Sequence, residues 1–448
     1  MHPRSFGLAT DLYELTMAAA YFVNRVAATA SFEMFVRDLP RQRNYLLVAG
    51  LEQVLAYLES LHFTGEDIEY LRALPQFGDV PADFFEYLRA FRFTGEVWAI
   101  PEGTPAFQNE PLVRVTAPII EAQIVETFLL STVNFQTMIA SKAARVVTAA
   151  AGRDVVEFGA RRAHGTEAAM YAARAAFIGG CAGSSDVEAG RRFGIPVFGT
   201  IAHSWVMTFD DEIDAFRRYM AAFPQNATLL IDTYDTVDAA RKIVRAGLRP
   251  QGVRLDSGAL DTLSRAVRAV LDDGGLGAAR IFATGDLDEH EIARLVAAGA
   301  PVDAFGVGTR LSTSFDAPAL GGVYKLVELV TDHDVHGRIK TSPGKTTFPG
   351  RKQVWRRGAR GESRGDVLAL ATESGPPDAE PLLVCVMRGG RRSAAPPALT
   401  DVRTRARALI DRLPTDLRRL DAAAHYPVDV SASLRAAQQE LVAARRPE

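Results

Sequence analysis

Two adjacent arginines, Arg161 and Arg162, follow a short apolar run at residues 155–159 and precede a glycine and a segment of helix-forming residues. A guanidinium group binds a carboxylate or phosphate through two parallel hydrogen bonds, and the free N–H groups at a helix start attract the same anions. The pair therefore indicates a site for an anionic ligand. The alternative is that both arginines form ion pairs with surface acids. Neighbouring Phe158, taken alone, is typical of a core residue.

His203 follows an apolar run at residues 195–202. A lone histidine is more often structural than catalytic, so its position decides the interpretation. At a strand end it would face Asp232, Asp256 and Asp286, which follow other apolar runs. A neutral imidazole in such surroundings can act as a general base, or as a nucleophile toward a phosphoryl group.

Three further apolar runs end in glycine-containing turns with the sequences GVRLDSG, TGDLDEH and FGVGTRL. Glycine lets a ligand approach the backbone closely, while the carboxylates of Asp256 and Asp286 can accept hydrogen bonds from ribose hydroxyls or hold Mg²⁺ through water. Gly308 and Thr309 begin the best candidate for a phosphate-binding loop, because backbone N–H groups in such turns bind phosphate. Each turn alone is also typical of a helix cap or a tight turn.

Residues 338–364 carry nine lysines or arginines and one acid, interrupted by glycines and prolines. Such a run is usually a solvated loop, and it is equally suited to closing over a polyphosphate. The sequence contains neither the GxxxxGK[ST] pattern of a P-loop nor a GxGxxG dinucleotide motif after a first strand.

The elements that would position these residues repeat one pattern. Six apolar runs alternate with segments of helical periodicity that end in glycine; the runs are residues 155–159, 195–204, 228–235, 252–258, 280–286 and 302–310. Continuous apolar runs suit strands covered on both faces. Consecutive β/α units of this size favour a barrel, whose site lies at the carboxyl ends of the strands, over a doubly wound open sheet with similar local signals.

We predict three parts of the chain around this repeat. Residues 1–125 mix helices and strands, residues 126–330 form the β/α barrel, and residues 331–448 contain the basic loop and a C-terminal segment. The most apolar long stretch, residues 119–151, is interrupted by charged and amide side chains, so we expect it to be buried helix and not a membrane span.

The composition excludes several classes of function. The 448 residues carry 51 Lys+Arg against 54 Asp+Glu, a formal charge of −3, which excludes a globally basic nucleic-acid-binding protein. Two cysteines are too few for a disulfide framework or a multi-cysteine metal site, so we expect a reducing cytoplasm. Asp11 and Glu14 fall where an export signal needs an uninterrupted apolar stretch.

Ten segments together resemble the bacterial nicotinate phosphoribosyltransferase family, and they occur in the family's order over about residues 8–356. The segments are TDLYELTMAAAYF, FEMFVR, EFGARRAHGTEAAMYAARAAF, GTIAHSWV, LLIDTYDT, VRLDSG, TGDLDEH, FGVGTRL, GGVYKLVEL and KTSPGKTTFPGRKQVWR. The resemblance implies an α/β fold: an irregular, incomplete β/α barrel plus an α/β sandwich domain built from N- and C-terminal segments. The C-terminal segment would pack back on the N-terminal domain.

The resemblance also implies the reaction. The enzyme would make nicotinate mononucleotide and pyrophosphate from nicotinate and phosphoribosyl pyrophosphate, in NAD biosynthesis and salvage. ATP hydrolysis would be coupled to the transfer through phosphorylation of His203, with Mg²⁺ as cofactor and its ligands unassigned. The enzyme would be a cytoplasmic homodimer whose active site is shared across subunits.

The matching motifs give each candidate residue a role. Phe158 and Tyr13 would sandwich the pyridine ring, with Tyr13 coming from the partner subunit, and Arg161 would hold the nicotinate carboxylate. Arg37 and Lys325 would reach the pyrophosphate or the phosphohistidine across the dimer. The remaining candidates are the catalytic residues His203, Asp256 and Asp286, and the ribose- and phosphate-binding residues Arg254, Ser257, Gly285, Gly308 and Thr309.

Three other functions stay open at this point. A nicotinamide phosphoribosyltransferase of the same fold would take a neutral base, for which an arginine pair is not needed. A non-catalytic barrel that senses metabolites would be marked by replacement of His203 or Asp286, and both are present. A sugar-phosphate aldolase or isomerase would usually need a Schiff-base lysine or a dedicated metal cluster near the strand ends. Lys242, the only lysine between residues 143 and 324, falls in a helical segment, so the imine route is unsupported.

Overall fold

The computed structural model describes residues 5–332, 334–342, 344–358, 361–420 and 424–445. The chain divides into two compact units: unit 1 combines residues 1–138 with residues 319–448, and unit 2 comprises residues 139–318. Both ends of the chain therefore belong to unit 1, whereas unit 2 is one continuous stretch. The three-part division at residues 125/126 and 330/331 stays a prediction.

The N-terminal part of unit 1 alternates helices with short strands. The strands are β1 (Thr29–Val36), β2 (Leu46–Leu47), β3 (Glu96–Ala99), β4 (Pro105–Ala106) and β5 (Val113–Pro118). The helices are α1 (Leu12–Val23), α2 (Leu51–Ser60), α3 (Gly65–Ala73), α4 (Ala82–Ala90), α5 (Ile119–Ile124) and α6 (Glu126–Ala149), which contains the boundary between the units.

Unit 2 alternates short buried strands with helices. The strands are β6 (Asp154–Glu157), β7 (Gly183–Ser184), β8 (Thr228–Leu230), β9 (Gly252–Leu255), β10 (Arg280–Ala283) and β11 (Ala304–Val307). The helices are α7 (Thr166–Ile178), α8 (Val187–Phe193), α9 (His203–Met207), α10 (Glu212–Ala222), α11 (Thr236–Arg245), α12 (Leu260–Asp273), α13 (Glu289–Ala297) and α14 (Thr309–Ser312).

The C-terminal part of unit 1 is mostly strands. They are β12 (Gly322–Thr331), β13 (Asp334–Gly337), β14 (Lys352–Arg357), β15 (Asp366–Leu370), β16 (Ala379–Pro381), β17 (Val384–Arg388), β18 (Arg391–Arg392) and β19 (Val428–Val430). Two helices accompany them, α15 (Leu399–Asp411) and α16 (Ala432–Ala443).

The main sheet of unit 1 joins the two ends of the chain. It has seven strands in the order β13-β12-β1-β5-β3-β17-β18, and all neighbours are antiparallel. A second sheet, β16-β14-β15-β19, comes from the C-terminal part alone. The prediction of an α/β domain built from N- and C-terminal segments is confirmed.

The sheet of unit 2 is parallel and open. Its order is β7-β6-β11-β10-β9-β8. The first strand, β6, pairs with the last, β11, as in a barrel, but β7 and β8 are not neighbours, so the sheet does not close. All four residues of β11 are buried, as expected for a parallel strand covered on both faces. The predicted incomplete β/α barrel is confirmed.

One predicted strand is wrong. In the run at residues 195–204, only Val197 forms a bridge, with Ser184 of β7. The Ser184 N–H donates to the Pro196 carbonyl and the Phe198 N–H to the Ser184 carbonyl, and the chain then leaves the sheet. Pro196 has no N–H to donate back to β7, so the ladder cannot extend toward the start of the run. Without a strand at residues 195–204, β7 is the end strand of the sheet.

The basic segment of unit 1 includes a closed loop on the surface. Lys340 and Thr347 are joined by two hydrogen bonds, at 3.0 and 3.1 Å, and the side chains of Lys340 and Lys345 are exposed. Residues 343, 359 and 360 of the segment lie outside the described residues, and its closure over a polyphosphate stays a prediction. No helix in the described part of the chain combines the length and apolarity needed to cross a bilayer.

A buried ion pair links the two ends of the chain within unit 1. Lys352 Nζ lies 2.8 Å from Glu33 Oε2, with the side chains only 4% and 0% exposed. The backbone N–H of Lys352 also donates to Glu33 Oε1, and Arg114 donates to the Lys352 carbonyl. Burial lowers the pKa of Lys352, and the charge of Glu33 opposes that shift. Glu33 therefore keeps a buried ammonium group charged.

Removing the acid should destabilise unit 1 strongly. We expect Glu33→Ala to lower the free energy of unfolding by about 3–5 kcal/mol, because it leaves the buried Lys352 charge uncompensated. Asp378→Ala is the matched control: its partner is Arg364 and both side chains are more than half exposed, so about 1 kcal/mol or less is expected. Thermal and urea melts of the two variants check this. Equal losses would contradict the interpretation.

Candidate active site

A cavity of about 370 Å³ opens at the carboxyl ends of the parallel strands of unit 2. The residues that follow β6, β9, β10 and β11 supply most of its lining, which is Phe158, Arg161, Arg162, Arg254, Asp256, Thr284, Gly285, Asp286, Leu287, Gly306, Gly308, Thr309 and Arg310. Parallel strands present their carboxyl ends at one edge, so residues far apart in sequence converge there. This is the position expected for the site.

The cavity brings together most of the residues predicted from the sequence in unit 2. Eight line it: Phe158, Arg161, Arg254, Asp256, Gly285, Asp286, Gly308 and Thr309. Ser257 and His203 are not part of the lining but contact groups linked to it. Tyr13, Arg37 and Lys325 lie in unit 1.

The phenyl ring of Phe158 forms one wall of the cavity. Its backbone N–H donates to the Val307 carbonyl, and its ring packs edge-on against Phe282 with centroids 5.4 Å apart. The Arg254 guanidinium lies 5.8 Å from the ring centroid. At Gly306 a Cβ would approach both rings and the Thr284 methyl group to 3.0 Å or less. The absence of a side chain at Gly306 therefore leaves room for the Phe158 ring.

Arg254, Asp256 and Thr284 form a polar network on the adjoining wall. Arg254 donates through Nη2 to Asp256 Oδ1 at 2.7 Å and through Nε to Thr284 Oγ1 at 2.8 Å. The Thr284 hydroxyl donates in turn to Asp256, and the third Arg254 nitrogen donates to Thr200. The Asp256 carboxylate is thus held in one orientation by Arg254 and Thr284.

Asp232 supports Asp256 from the neighbouring strand end. Its Oδ2 accepts hydrogen bonds from the Asp256 backbone N–H at 2.9 Å and from the Ser257 hydroxyl at 2.7 Å. Its Oδ1 is buried and has no hydrogen-bond partner among the described residues. The carboxylate therefore fixes the turn after β9 and keeps one acceptor free.

His203 is the first residue of α9, beside the same network. Its Nδ1 lies 3.1 Å from Thr233 Oγ1, and its Nε2 lies 4.0 Å from Asp256 Oδ2. The imidazole is 41% exposed, so Nε2 is accessible to a ligand on the side of Asp256. The predicted proximity of His203 to Asp256 is observed.

The turn after β10 approaches the turn after β9 closely. Gly285 has a φ of +94°, and a Cβ there would lie 1.9 Å from the Asp256 carbonyl oxygen. Asp286 has a φ of +47°, a backbone conformation that non-glycine residues rarely adopt. Such strain persists only where the surroundings enforce it, and it occurs preferentially at ligand sites.

Arg161 and Arg162 have no acid partner among the residues that the structure describes. Both are exposed at the cavity, in a short 3₁₀ turn at Ala160–Arg162, and neither forms an ion pair with a described residue. The other two arginines of the lining are paired: Arg254 with Asp256, and Arg310 with Asp288 at 2.8 Å. The alternative of pairing with surface acids is therefore not observed for Arg161 and Arg162.

Sequence reasoning missed two of the lining residues. Thr284 bridges Arg254 and Asp256, and Arg310 pairs with Asp288, yet neither was given a role. Both stand inside recognised motifs, directly before Gly285 and directly after Thr309. That position next to a glycine turn was the available signal.

A second cluster lies in unit 1. Burial lowers the pKa of Lys325 on β12, the charge of Glu126 opposes this, and the charges of Arg37 and Lys340 add to it. Tyr13 hydrogen-bonds to Glu126, and 45% of its surface is exposed. Glu126 thus contacts Tyr13 and acts electrostatically on Lys325, and the charge of Arg37 also acts on Lys325. The functional roles of Tyr13, Arg37 and Lys325 stay predictions.

Models of protein families match most of the chain. Residues 8–134 match the N-terminal domain of nicotinate phosphoribosyltransferase, and residues 375–438 match its C-terminal domain. Residues 139–316 match the C-terminal domain of quinolinate phosphoribosyl transferase. The match to the quinolinate phosphoribosyl transferase domain has nearly the same bounds as unit 2.

Individual relatives agree. The chain is 50% identical over 432 residues to nicotinate phosphoribosyltransferase pncB2 of Mycobacterium tuberculosis, covering 95% of this chain and 91% of that protein. It is 44% identical over 381 residues to nicotinate phosphoribosyltransferase of Bacillus subtilis, covering 82% and 77%. The crystal structure of human nicotinic acid phosphoribosyltransferase superposes with a TM-score of 0.84 at 30% identity, over 97% of this chain and 100% of that chain. The chain belongs to the nicotinate phosphoribosyltransferase family.

Proposed function

We propose that this protein transfers the phosphoribosyl group of phosphoribosyl pyrophosphate to nicotinate, giving nicotinate mononucleotide and pyrophosphate for NAD biosynthesis and salvage. The observation that carries the proposal is the unpaired Arg161 beside Phe158, in the same cavity as Asp256 and Asp286. Membership of the family supports it.

Nicotinate is a flat ring with a carboxylate. Arg161 supplies a cation that can donate two hydrogen bonds to a carboxylate, and the Phe158 ring supplies an apolar face for the pyridine. Neutral nicotinamide would leave the guanidinium charge unmatched. We therefore expect preference for the acid.

The transfer step exchanges one bond for another at the ribose carbon. The pyridine nitrogen forms a bond to C1 of the ribose as the bond from C1 to the pyrophosphate oxygen breaks, and the electron pair leaves with pyrophosphate. Positive charge builds up on the ribose in the transition state, where the carboxylates of Asp256 and Asp286 stabilise it. The backbone N–H groups around Gly285, Gly308 and Thr309, which line the same cavity, would bind the 5′-phosphate.

Mg²⁺ would enter with the phosphates of the substrate. No cluster of three or more His, Cys, Asp or Glu side chains able to hold a metal occurs among the described residues. The donor set fits a hydrated ion instead, since the carboxylates of Asp256 and Asp286 line the cavity. The ion would offset charge on the leaving pyrophosphate.

ATP enters the cycle through His203. Its accessible Nε2 would attack the γ-phosphorus of ATP, releasing ADP, and water would later hydrolyse the phosphohistidine. The Thr233 hydroxyl at Nδ1 orients the ring, and Asp256, 4.0 Å from Nε2, lies within reach of the same nitrogen.

The working form would be a cytoplasmic homodimer. Tyr13 would cover the second face of the pyridine ring from the partner subunit, and Arg37 and Lys325 would reach the pyrophosphate or the phosphohistidine. The partial exposure of Tyr13 and the charges of Arg37 and Lys340 near Lys325 support these roles.

A direct assay tests the function. The protein is incubated with nicotinate, phosphoribosyl pyrophosphate and Mg²⁺, with and without ATP, and nicotinate mononucleotide and pyrophosphate are quantified. We expect both products in equal amounts, faster formation with ATP, and little product from nicotinamide. Preference for nicotinamide, or binding of both substrates without turnover, would refute the proposal.

Replacing the histidine separates ATP use from folding. We expect His203→Ala to abolish substrate-stimulated ATP hydrolysis and labelling of the protein by γ-³²P-ATP. The melting temperature should stay close to that of the wild type, because the imidazole is 41% exposed and is not part of the core. His336→Ala, an exposed histidine on β13 in unit 1, is the control and should keep both activities. Retained labelling in His203→Ala would exclude this residue as the phosphoryl acceptor.

Replacing the arginine tests recognition of the carboxylate. Arg161→Ala should raise the KM for nicotinate by about ten-fold to a hundred-fold, the loss expected for a charge-assisted hydrogen bond. The KM for phosphoribosyl pyrophosphate should change little. Arg192→Ala, an exposed arginine paired with Glu188 on α8, is the control. An unchanged KM for nicotinate in Arg161→Ala would move carboxylate recognition elsewhere.

A further inference from the structure

Glu157 is a buried acid that the proposed mechanism does not use. It is the last residue of β6, is 0% exposed, and directly precedes Phe158. Its Oε1 accepts the backbone N–H of Gly159 at 2.5 Å, and its Oε2 accepts the hydroxyl of Ser184 at 2.6 Å. It forms no ion pair with any residue that the structure describes. A buried carboxylate without a cation is costly, so it calls for a functional explanation.

The carboxylate holds the turn that carries the nicotinate-binding groups. A Cβ at Gly159 would lie 2.2 Å from Ser312 Oγ and 2.8 Å from Glu157 Oε1, so the backbone of this turn is in tight contact with both side chains. Phe158 stands on one side of Gly159, and the 3₁₀ turn with Arg161 begins on the other. A change at Glu157 therefore moves both the ring wall and the cation.

We propose that Glu157 is a positioning residue whose ionised carboxylate holds Phe158 and Arg161 in the geometry that binds nicotinate. The inference rests on the proposed function, because nicotinate is the ligand it concerns. Glu157 acts through the hydrogen bond to Gly159 and the packing of the turn, and it forms no bond to the substrate.

The two hydrogen bonds require the ionised form. Both facing groups, the Gly159 N–H and the Ser184 O–H, donate, so a protonated carboxyl would turn one acceptor into a third donor. Around the turn, Val307 of β11 pairs with Glu157, α14 presents the neutral Ser312, and Asp186 at the N-cap of α8 adds a negative charge. The turn is thus held best when Glu157 has lost its proton.

The pH range of this effect follows from the surroundings. Burial raises the pKa of Glu157 to about 7; the hydrogen bonds from Ser184 and Gly159 oppose the rise, and the charge of Asp186 adds to it. Nicotinate affinity should therefore increase as the pH rises through about 7. Fold stability should change in the opposite direction, since a carboxyl whose folded pKa is raised stabilises at low pH and loses that contribution as pH passes the folded pKa.

The test is Glu157→Gln, which keeps the shape and removes the charge. We expect the KM for nicotinate to rise about ten-fold, with kcat within three-fold and the KM for phosphoribosyl pyrophosphate unchanged. Between about pH 6 and 8 the wild-type KM for nicotinate should fall, whereas that of the variant should stay flat. The melting temperature of Glu157→Gln at pH 8 should equal or exceed that of the wild type.

Ser184→Ala is the matched second variant. It removes a hydrogen bond that lowers the pKa of Glu157, so the pH transition in the KM for nicotinate should persist and move to higher pH. An unchanged KM in Glu157→Gln, a wild-type KM that rises with pH, or a joint loss of melting temperature and activity would each overturn the inference. A wild-type protein that forms no nicotinate mononucleotide would instead refute the proposed function, and this inference with it.

Discussion

The ion pair between Arg254 and Asp256 determines which charges of the cavity remain available. Thr284 completes the pair, and Asp232 fixes the backbone beneath it, so the Asp256 carboxylate is committed to groups of its own and neighbouring strand ends. The carboxylate is thus oriented by Arg254, and Arg161 forms no ion pair with any residue that the structure describes. The cavity thus contains both the Arg161 cation and the Asp256 carboxylate without an ion pair between them, so Arg161 is available to an anionic ligand.

The sequence predicted the strands, the turns and their chemistry better than the contacts between them. Glycine and aspartate at the ends of apolar runs identified Asp256, Gly285 and Gly308, because that signal is local. The roles of Asp232 and Thr284 depend on which strands are neighbours in the sheet, and the local sequence pattern does not indicate strand order. The false strand at residues 195–204 has the same origin: its apolar run is compatible with a ladder, but no neighbour continues one past Val197.

A buried glutamate adjoins each of the two aromatic residues that the family resemblance places around the pyridine ring. Glu157 precedes Phe158 in unit 2, and Glu14 follows Tyr13 in unit 1. Burial raises the pKa of Glu14 to about 7, and Thr127 donates to it through both its N–H and its hydroxyl. Both carboxylates thus accept hydrogen bonds from neutral donors, and burial raises the pKa of each.

The pairing of β1 with β12 has a consequence for biosynthesis. Thr29 lies opposite Val330, so these strands are about 300 positions apart in the chain, with the whole of unit 2 between them. Because the ribosome synthesises the chain from its N-terminus, the edge of β1 that pairs with β12 stays unpaired until all strands of unit 2 have been synthesised. The continuous unit 2 can complete its own sheet during that interval, whereas the seven-stranded sheet can assemble only afterwards. The nascent N-terminal region must therefore be shielded from intermolecular strand pairing throughout the synthesis of unit 2.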